Sequence, residues 1–270
     1  RRELALSGIF FGIGAASKWT CIYAGAGLAV IWLIYVIREA KAQRLDMKGF
    51  WKLCGFCVIF FVLIPCLIYY LSYLPYARAQ GAPLFSRETL RIVLDNQAFM
   101  FHYHANIVSE HPYSSRWYQW ILDIRPILYY LDSSLPGYTT RFGAFLNPVV
   151  CWGGLLAMIA VAVRMVQRRC GKALFILVGY LSQLAPWFLI GRITFAYHYF
   201  PSVIFLILAL CYVFHDLAER EDAVRWKPAV YALTGGAAVL YAMFYPVLVG
   251  ITVPTWYTTC FLRWFPSWPF

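Results

Sequence analysis

The sequence predicts an all-α polytopic membrane protein, on three observations. Hydrophobic residues make up 62% of its 270 residues and charged ones 13%, where soluble domains run at roughly half and a quarter. Apolar runs of spanning length recur from end to end, and the mean hydropathy is +0.63. Lysines and arginines gather in the short connections between those runs, the pattern that fixes orientation in a membrane.

The same pattern answers the nucleic-acid reading that a formal net charge of +11 invites. A nucleic-acid surface needs one continuous basic face, and these cations instead flank apolar segments. The expected partner is the lipid bilayer, with no nucleic acid. The eight cysteines lie mostly inside apolar runs. Cys54-x-x-Cys57 has a redox or metal spacing, but no second pair or histidine is near it in sequence. The cysteines read as small buried hydrophobes.

Seven apolar segments follow one another: Leu4–Ala16, Thr20–Ile37, Leu53–Leu74, Pro148–Val166, Ala173–Ile190, Ile193–Phe214 and Ala229–Gly250. The first would be roughly 20 Å long as a helix, shorter than the hydrocarbon core. It either continues a longer chain or stops inside the membrane, where Lys18 would line a cavity. The chain opens at Arg1, directly before that run, and is expected to be a piece of a longer protein. Asn147-Pro148 places a capping residue before a proline at the first helical position, and Lys227-Pro228 is read as opening the last helix in the same way. Arg38, Lys41, Arg44, Lys48 and Lys52 crowd one connection; Arg164, Arg168, Arg169 and Lys172 the next; Arg220, Arg225 and Lys227 the third. All three fall on one side, expected to be cytoplasmic. Lys18, the 75–147 loop, Gly191-Arg192 and the tail from Thr252 to Phe270 then face outward, giving a multi-pass plasma-membrane protein with an extracytoplasmic C-terminus.

The organisation expected is 1–74 as membrane helices, 75–147 as one ordered extracytoplasmic loop, and 148–270 as a C-terminal four-helix membrane region. Within the loop, Ser86 is placed to cap a helix from Arg87 to about Phe101, with Leu90, Val93, Leu94 and Phe101 on one face. Trp117, Trp120, Tyr129 and Tyr130 suit an interfacial segment lying along the bilayer. No internal repeat is visible.

Few residues offer chemistry. Lys18, in Ala-Ala-Ser-Lys-Trp19, sits between two apolar segments; it is either a lysine snorkelling to the interface or a compact charge for a phosphate. Arg192 and His198 lie in Gly-Arg-Ile-Thr-Phe-Ala-Tyr-His-Tyr199-Phe-Pro, where an arginine fork matches a phosphate and an interfacial anchor is the alternative. His102, His104 and His111 lack the acidic or histidine partners of a compact metal site, so no metal is expected. His111-Pro-Tyr113-Ser-Ser115-Arg-Trp117 reads as a rigid loop bordering a sugar or peptide groove. No nucleophile elbow, P-loop, Rossmann fingerprint or His-Glu-x-x-His occurs. The outward acids Glu88, Asp95, Glu110, Asp123 and Asp132 form no close pair of the glycosidase kind.

Three stretches carry a resemblance. "FMFHYHANIVSEHPYSSRWYQW", "NPVVCWGG" and "GRITFAYHYFPSVIFLILAL" closely resemble the C-terminal membrane half of the protein O-mannosyltransferases of glycosyltransferase family 39, which have the GT-C fold. "LSGIFFGIGAASKWTCIYAGAGLAVIW" is similar to that family's Gly-rich helix pair ending in Ser-Lys-Trp. The resemblance covers nearly the whole chain, and the His-Pro-Tyr-x-Ser-x-Trp and His-Tyr-Phe-Pro blocks together are specific.

The resemblance implies transfer of mannose from a polyprenyl-phosphate-mannose donor to Ser or Thr hydroxyls of an acceptor protein, with inversion and without a nucleotide or other cofactor. It implies a catalytic acid in an Asp-Glu motif of the first extracytoplasmic loop. That loop would precede Arg1, so no catalytic residue is expected within these residues and the fragment alone is expected to be inactive. Lys18 and Arg192 are assigned to the donor phosphate, and Trp19, His111, Tyr113, Ser115, Trp117, His198 and Tyr199 to the substrate groove. The loop is too short for the β-trefoil domain of eukaryotic members, which points to a bacterial type. Departures are Cys151 beside Trp152 and the charged Asp123 and Arg125; they bear on specificity, not class. Two other readings compete. Another GT-C transferase would act on a glycan or lipid acceptor. A transporter fragment would place polar residues deep within several helices, which the apolar centres of Leu53–Leu74, Pro148–Val166 and Ala229–Gly250 do not offer.

Overall fold

The computed structural model describes every residue except Arg1 and Glu221. The chain forms two compact units, Arg1–Ile107 and Val108–Phe270. The division falls inside the 75–147 loop, whose first half folds with the N-terminal helices and whose second half folds with the C-terminal ones.

The first unit is helical: α1 (Arg2–Ser17), a turn at Trp19–Cys21, α2 (Ile22–Lys41), α3 (Met47–Val58), α4 (Ile64–Ser72), α5 (Leu74–Ala79) and α6 (Arg87–Asn106). Asp46 caps α3, accepting the Gly49 N–H at 2.8 Å, and Ser86 caps α6, accepting the Thr89 N–H at 3.1 Å. The second cap is the one the sequence predicts; the helix then runs one turn beyond Phe101. Between α3 and α4 the backbone widens into a π turn at Ile59–Leu63. Pro65 follows directly; it has no N–H to return and its ring crowds the preceding turn, so the wider turn relieves both. Helix α1 packs on this stretch through glycines. A Cβ on Gly8 would collide with the Phe60 carbonyl, and one on Gly12 would lie 2.8 Å from the Pro65 Cα. Only small residues let two backbones approach so closely, the usual basis of helix association in lipid.

The second unit opens with a short helix, α7 (Trp117–Trp120), then strands β1 (Ile127–Asp132) and β2 (Tyr138–Ala144), helices α8 (Gly154–Arg168), α9 (Gly171–Leu184), α10 (Phe200–Ala218) and α11 (Ala223–Val249), strand β3 (Thr252–Pro254) and α12 (Thr255–Tyr257). The strands form one antiparallel sheet in the order β1-β2-β3, with Thr139 opposite Val253. Sequence reading placed an interfacial segment where β1 lies. The hairpin forms because Gly137 turns the chain at φ +78°, Asp132 accepts the Ser134 N–H at 2.9 Å, and Ile127 and Leu128 are buried at the start of β1, before an irregularity in register leaves Tyr129 and Tyr130 exposed. Strand β3 follows α11 through Gly250, whose φ of +75° ends the helix.

Helices α8, α9 and α10 pack on one another, and close approach again rests on glycine: Gly154 faces Leu206 and Gly179 lies under the Phe205 ring. At one end of this bundle Arg164 pairs with Asp216 at 2.7 Å. A second core seals the sheet: Phe145, Phe244, Val247, Leu262, Trp268 and Phe270 are all buried together, each stabilising by about 1.5–3 kcal/mol relative to exposure. It fastens the C-terminal tail onto the loop.

Among the described residues, five stretches are long and apolar enough to cross a membrane: Trp19–Lys41, Met47–Ala79, Val149–Arg168, Ala196–Ala218 and Ala223–Val249. Two of the seven expected segments are shorter helices, of 16 residues in α1 and 14 in α9; α9 passes into a 3-10 turn at Ala185–Phe188, where Pro186 cannot continue the α ladder. Two boundaries also move. Asn147 does cap the helix after it, accepting the Val149 N–H at 3.0 Å, but α11 starts a turn before Lys227-Pro228 and carries Pro228 inside it.

Candidate functional site

The two most distinctive sequence blocks meet in the second unit. The Ser115 N–H donates to the Thr194 carbonyl at 2.9 Å, and the Thr194 hydroxyl donates back to the Ser115 carbonyl at 2.7 Å. These residues are 79 positions apart, and both are buried. The Arg116 guanidinium adds a third tie, to the Gly191 carbonyl at 2.9 Å.

Aromatic rings fill the space behind this seam. The Trp120 indole N–H donates to the Ser115 hydroxyl at 2.9 Å, and its ring stacks over His198 with centroids 5.9 Å apart at 21°. Trp187 closes the group, 4.3 Å from His198 and edge-on to Trp120 at 5.7 Å. The His198 Nδ1 lies 3.0 Å from the Phe195 carbonyl oxygen, and the Tyr199 hydroxyl lies 2.8 Å from that of Tyr180. In front, His111 meets Phe195 edge-on at 5.0 Å, its Nδ1 accepts the Tyr113 N–H at 3.2 Å, and Trp117 leans on Phe188 at 4.2 Å.

The expected groove residues therefore divide. His111 is exposed and Tyr113 and Trp117 are half-buried, so all three present surface to solvent. Ser115, His198 and Tyr199 are buried and pack against Trp120, Trp187 and Tyr180; a short polar side chain and two amphipathic rings suit a groove or a core, which is why sequence did not separate them. Arg192 is half-buried, and its guanidinium donates to the neighbouring Ile193 carbonyl at 3.1 Å.

Lys18 and Trp19 belong to the first unit. Lys18 ends α1 in extended backbone and is exposed. Trp19 is anchored: its indole N–H donates to the Tyr69 hydroxyl at 2.8 Å, Tyr69 donates to the Gln97 amide oxygen at 2.6 Å, and the Gln97 amide donates to the Tyr73 hydroxyl at 2.9 Å. The Ser-Lys-Trp turn is thus held by α4 and α6 together.

Sequence reading missed two features. Asp123 is 2% exposed, accepts the Leu146 N–H at 2.8 Å, and has its carboxyl pushed up to about 7 by burial, with the Leu146 N–H acting the other way. Its own carbonyl accepts the Trp268 indole N–H at 2.8 Å. The other is a cavity of about 380 Å³ beside Tyr113, into which Arg125, Arg141 and Arg263 converge. Those arginines come from a loop, a strand and the tail, so no motif in the sequence groups them. Among the described residues no set of three His, Cys, Asp or Glu side chains stands close enough to hold one metal ion.

Comparison with known proteins gives a consistent answer. The family model for the C-terminal four-transmembrane region of protein-O-mannosyltransferase matches residues 89–268. A polyprenol-phosphate-mannose–protein mannosyltransferase of Mycolicibacterium smegmatis is 25% identical over 97% of this chain and 57% of its own length; one from Mycobacterium tuberculosis is 24% identical over 97% and 56%. Protein O-mannosyltransferase 1 of Drosophila pseudoobscura pseudoobscura is 26% identical over 66% of the chain and 22% of the relative. In fold, the chain is similar to the S. cerevisiae Pmt1-Pmt2 complex bound to the sugar donor, with a TM-score of 0.56 and 21% identity over 68% of this chain and 27% of that one. The chain spans a little over half the length of the bacterial relatives.

Proposed function

The chain belongs to the protein O-mannosyltransferase family, as part of its C-terminal membrane region, and we propose that the protein containing it transfers mannose from a polyprenyl-phosphate-mannose donor to Ser or Thr hydroxyls of protein acceptors. The observation that carries this reading is the seam at Ser115 and Thr194. It joins the His-Pro-Tyr-x-Ser-x-Trp loop to the His-Tyr-Phe-Pro block, the two blocks that together make the family resemblance specific.

A lipid-linked donor needs cations near the bilayer surface for its phosphate, where charge develops as the sugar departs. Lys18 and Arg192 are proposed for that task, an exposed ammonium directly after α1 and a half-buried guanidinium in the connection between α9 and α10. His111, Tyr113 and Trp117 offer the aromatic and polar edge on which a sugar or an extended peptide rests. The reaction is proposed at the extracytoplasmic face of the plasma membrane, with the C-terminal tail on that same side and the catalytic carboxylate in a part of the protein outside residues 1–270. Impermeant labelling of a cysteine at position 112, but not at 43, is expected in sealed cells; the reverse pattern contradicts the orientation.

The activity is tested by incubating purified full-length protein with polyprenyl-phosphate-mannose and a Ser/Thr peptide. Mannose attached to the peptide hydroxyl is expected, with none when residues 1–270 are assayed alone. Transfer to a lipid or glycan acceptor in place of the peptide contradicts the proposal.

A further inference from the structure

We propose that Arg125, Arg141 and Arg263 form a binding site for a phosphate ester, distinct from the cations assigned to the mannose donor. The site is a cavity of about 380 Å³, at the small end of the range for ligand pockets and large enough for a phosphate with a short organic group. The three guanidiniums reach it from the loop after α7, from β2 and from the tail.

The arrangement makes sense only with an anion. Among the described residues no carboxylate forms a salt bridge with any of the three. Their hydrogen bonds within the protein go to neutral groups: Arg125 to the Pro112 carbonyl at 2.8 Å, Arg141 to the Pro269 carbonyl at 2.6 Å and the Thr139 hydroxyl at 3.3 Å, Arg263 to the Pro266 carbonyl at 3.1 Å. Each guanidinium has five N–H donors, so most donors stay available to a ligand. Arg141 is partly buried, and burial together with the charge of Arg263 pushes its proton affinity down. Holding like charges together where two of them are partly withdrawn from water is unfavourable unless an opposite charge joins them. The carbonyl contacts also fix the forks, so little side-chain freedom is lost on binding.

A phosphate fits better than a carboxylate. Guanidiniums arriving from three chain segments can each take a different oxygen of a tetrahedral group, whereas a planar carboxylate presents two. Leu128, Leu131 and Trp268 complete the wall and suit an organic substituent. The ester can come from a bilayer headgroup or from solution. The site also touches the candidate groove, since Tyr113 lines it and Arg125 holds the Pro112 carbonyl. None of this depends on the mannosyltransferase reading.

The test uses full-length protein in neutral detergent, with inorganic phosphate and glycerol 3-phosphate as probes and thermal unfolding as readout. Both probes are expected to raise Tm in a saturable way, glycerol 3-phosphate more strongly. Arg141→Gln or Arg263→Gln is expected to weaken apparent affinity about tenfold or more, while Lys18→Gln and Arg192→Gln leave it unchanged. Arg263 is exposed, so its variant folds normally and keeps the test decisive if Arg141→Gln does not fold. In nanodiscs, stabilisation by phosphatidylglycerol over phosphatidylcholine that is lost in Arg263→Gln identifies a lipid source; its absence, with the soluble ester still binding, identifies a solution source. An unchanged Tm with both soluble probes, an equal shift in Arg263→Gln, or binding of an acidic peptide in place of phosphate would overturn the proposal.

Discussion

Ser115 and Thr194 are bonded to each other in both directions, main chain to main chain and hydroxyl to main chain, across 79 residues of sequence. The seam makes one surface of two blocks that neither helix packing nor the sheet would otherwise align. Thr194→Val removes the hydroxyl donor while keeping the shape, and leaves the Ser115 carbonyl with an unmet acceptor. The expected loss is about 1–3 kcal/mol of stability, with a fall in mannosyl transfer that exceeds the loss of folded protein at assay temperature. Equal stability and activity in matched preparations would show that the seam carries neither.

Trp19 and Tyr69 set the position of Lys18. Tyr69→Phe removes one oxygen that both accepts from Trp19 and donates to Gln97. Thermal stability is expected to fall by about 1–2 kcal/mol and donor KM to rise, whereas acceptor KM stays constant because Lys18 is assigned to the donor alone. A change confined to acceptor KM goes against that assignment.

The fold of α1 on α4 gives a sharp pair of substitutions. Gly12→Ala places a methyl 2.8 Å from the Pro65 Cα, and Gly55 has nothing within 4 Å of the added atom. Gly12→Ala is expected to destabilise by about 1–3 kcal/mol, and Gly55→Ala to be neutral or to stabilise by up to about 1 kcal/mol through helix propensity. Circular dichroism melts of the two variants separate the outcomes, and similar melts would remove the close approach from the account.

Asp123 makes stability pH-dependent. Its carboxyl titrates near 7 in the folded protein and near 3.8 when unfolded, so the folded state holds the proton more tightly. Its contribution is fully present below pH 4, is lost as pH rises toward 7, and is flat above; the whole span is of order 4 kcal/mol. Asp123→Asn still accepts the Leu146 N–H and is expected to flatten Tm between pH 4 and 7 and to be the more stable protein at pH 8. A wild-type Tm that rises over that range contradicts the burial argument.

Much of this was legible in the sequence because it is written locally. The apolar spans, the Ser86 cap and the Asn147 turn each depend on residues within one helical turn, and physics of that range reads directly from the chain. Helix ends were less legible: Pro228 lies inside α11 because the loss of one backbone bond near a helix start is small against a long apolar helix. The sheet, the Asp123–Trp268 bond and the arginine cavity were not legible at all. Their partners are separated by as many as 145 residues, and hydrophobic period carries no information about which distant segments meet. The candidate site divides in the same way. His111, Tyr113 and Trp117 stood out by residue type, whereas the burial of Ser115 and His198 goes with Trp120 and Trp187 packing behind them, and that of Tyr199 with Tyr180.

The central claim is that this membrane region serves mannosyl transfer from a lipid phosphate, with Lys18 and Arg192 on that phosphate. The most direct measurement is transfer of labelled mannose from polyprenyl-phosphate-mannose to a Ser/Thr peptide by full-length protein, at varied donor concentration, for the wild type, Lys18→Ala, Arg192→Ala and Arg192→Lys at matched expression. Activity in the wild type, a loss of about tenfold or more in each alanine variant at subsaturating donor, and partial recovery in Arg192→Lys are the expected results. Donor-dependent kinetics unchanged in both alanine variants would make the two cations interfacial anchors and contradict the account.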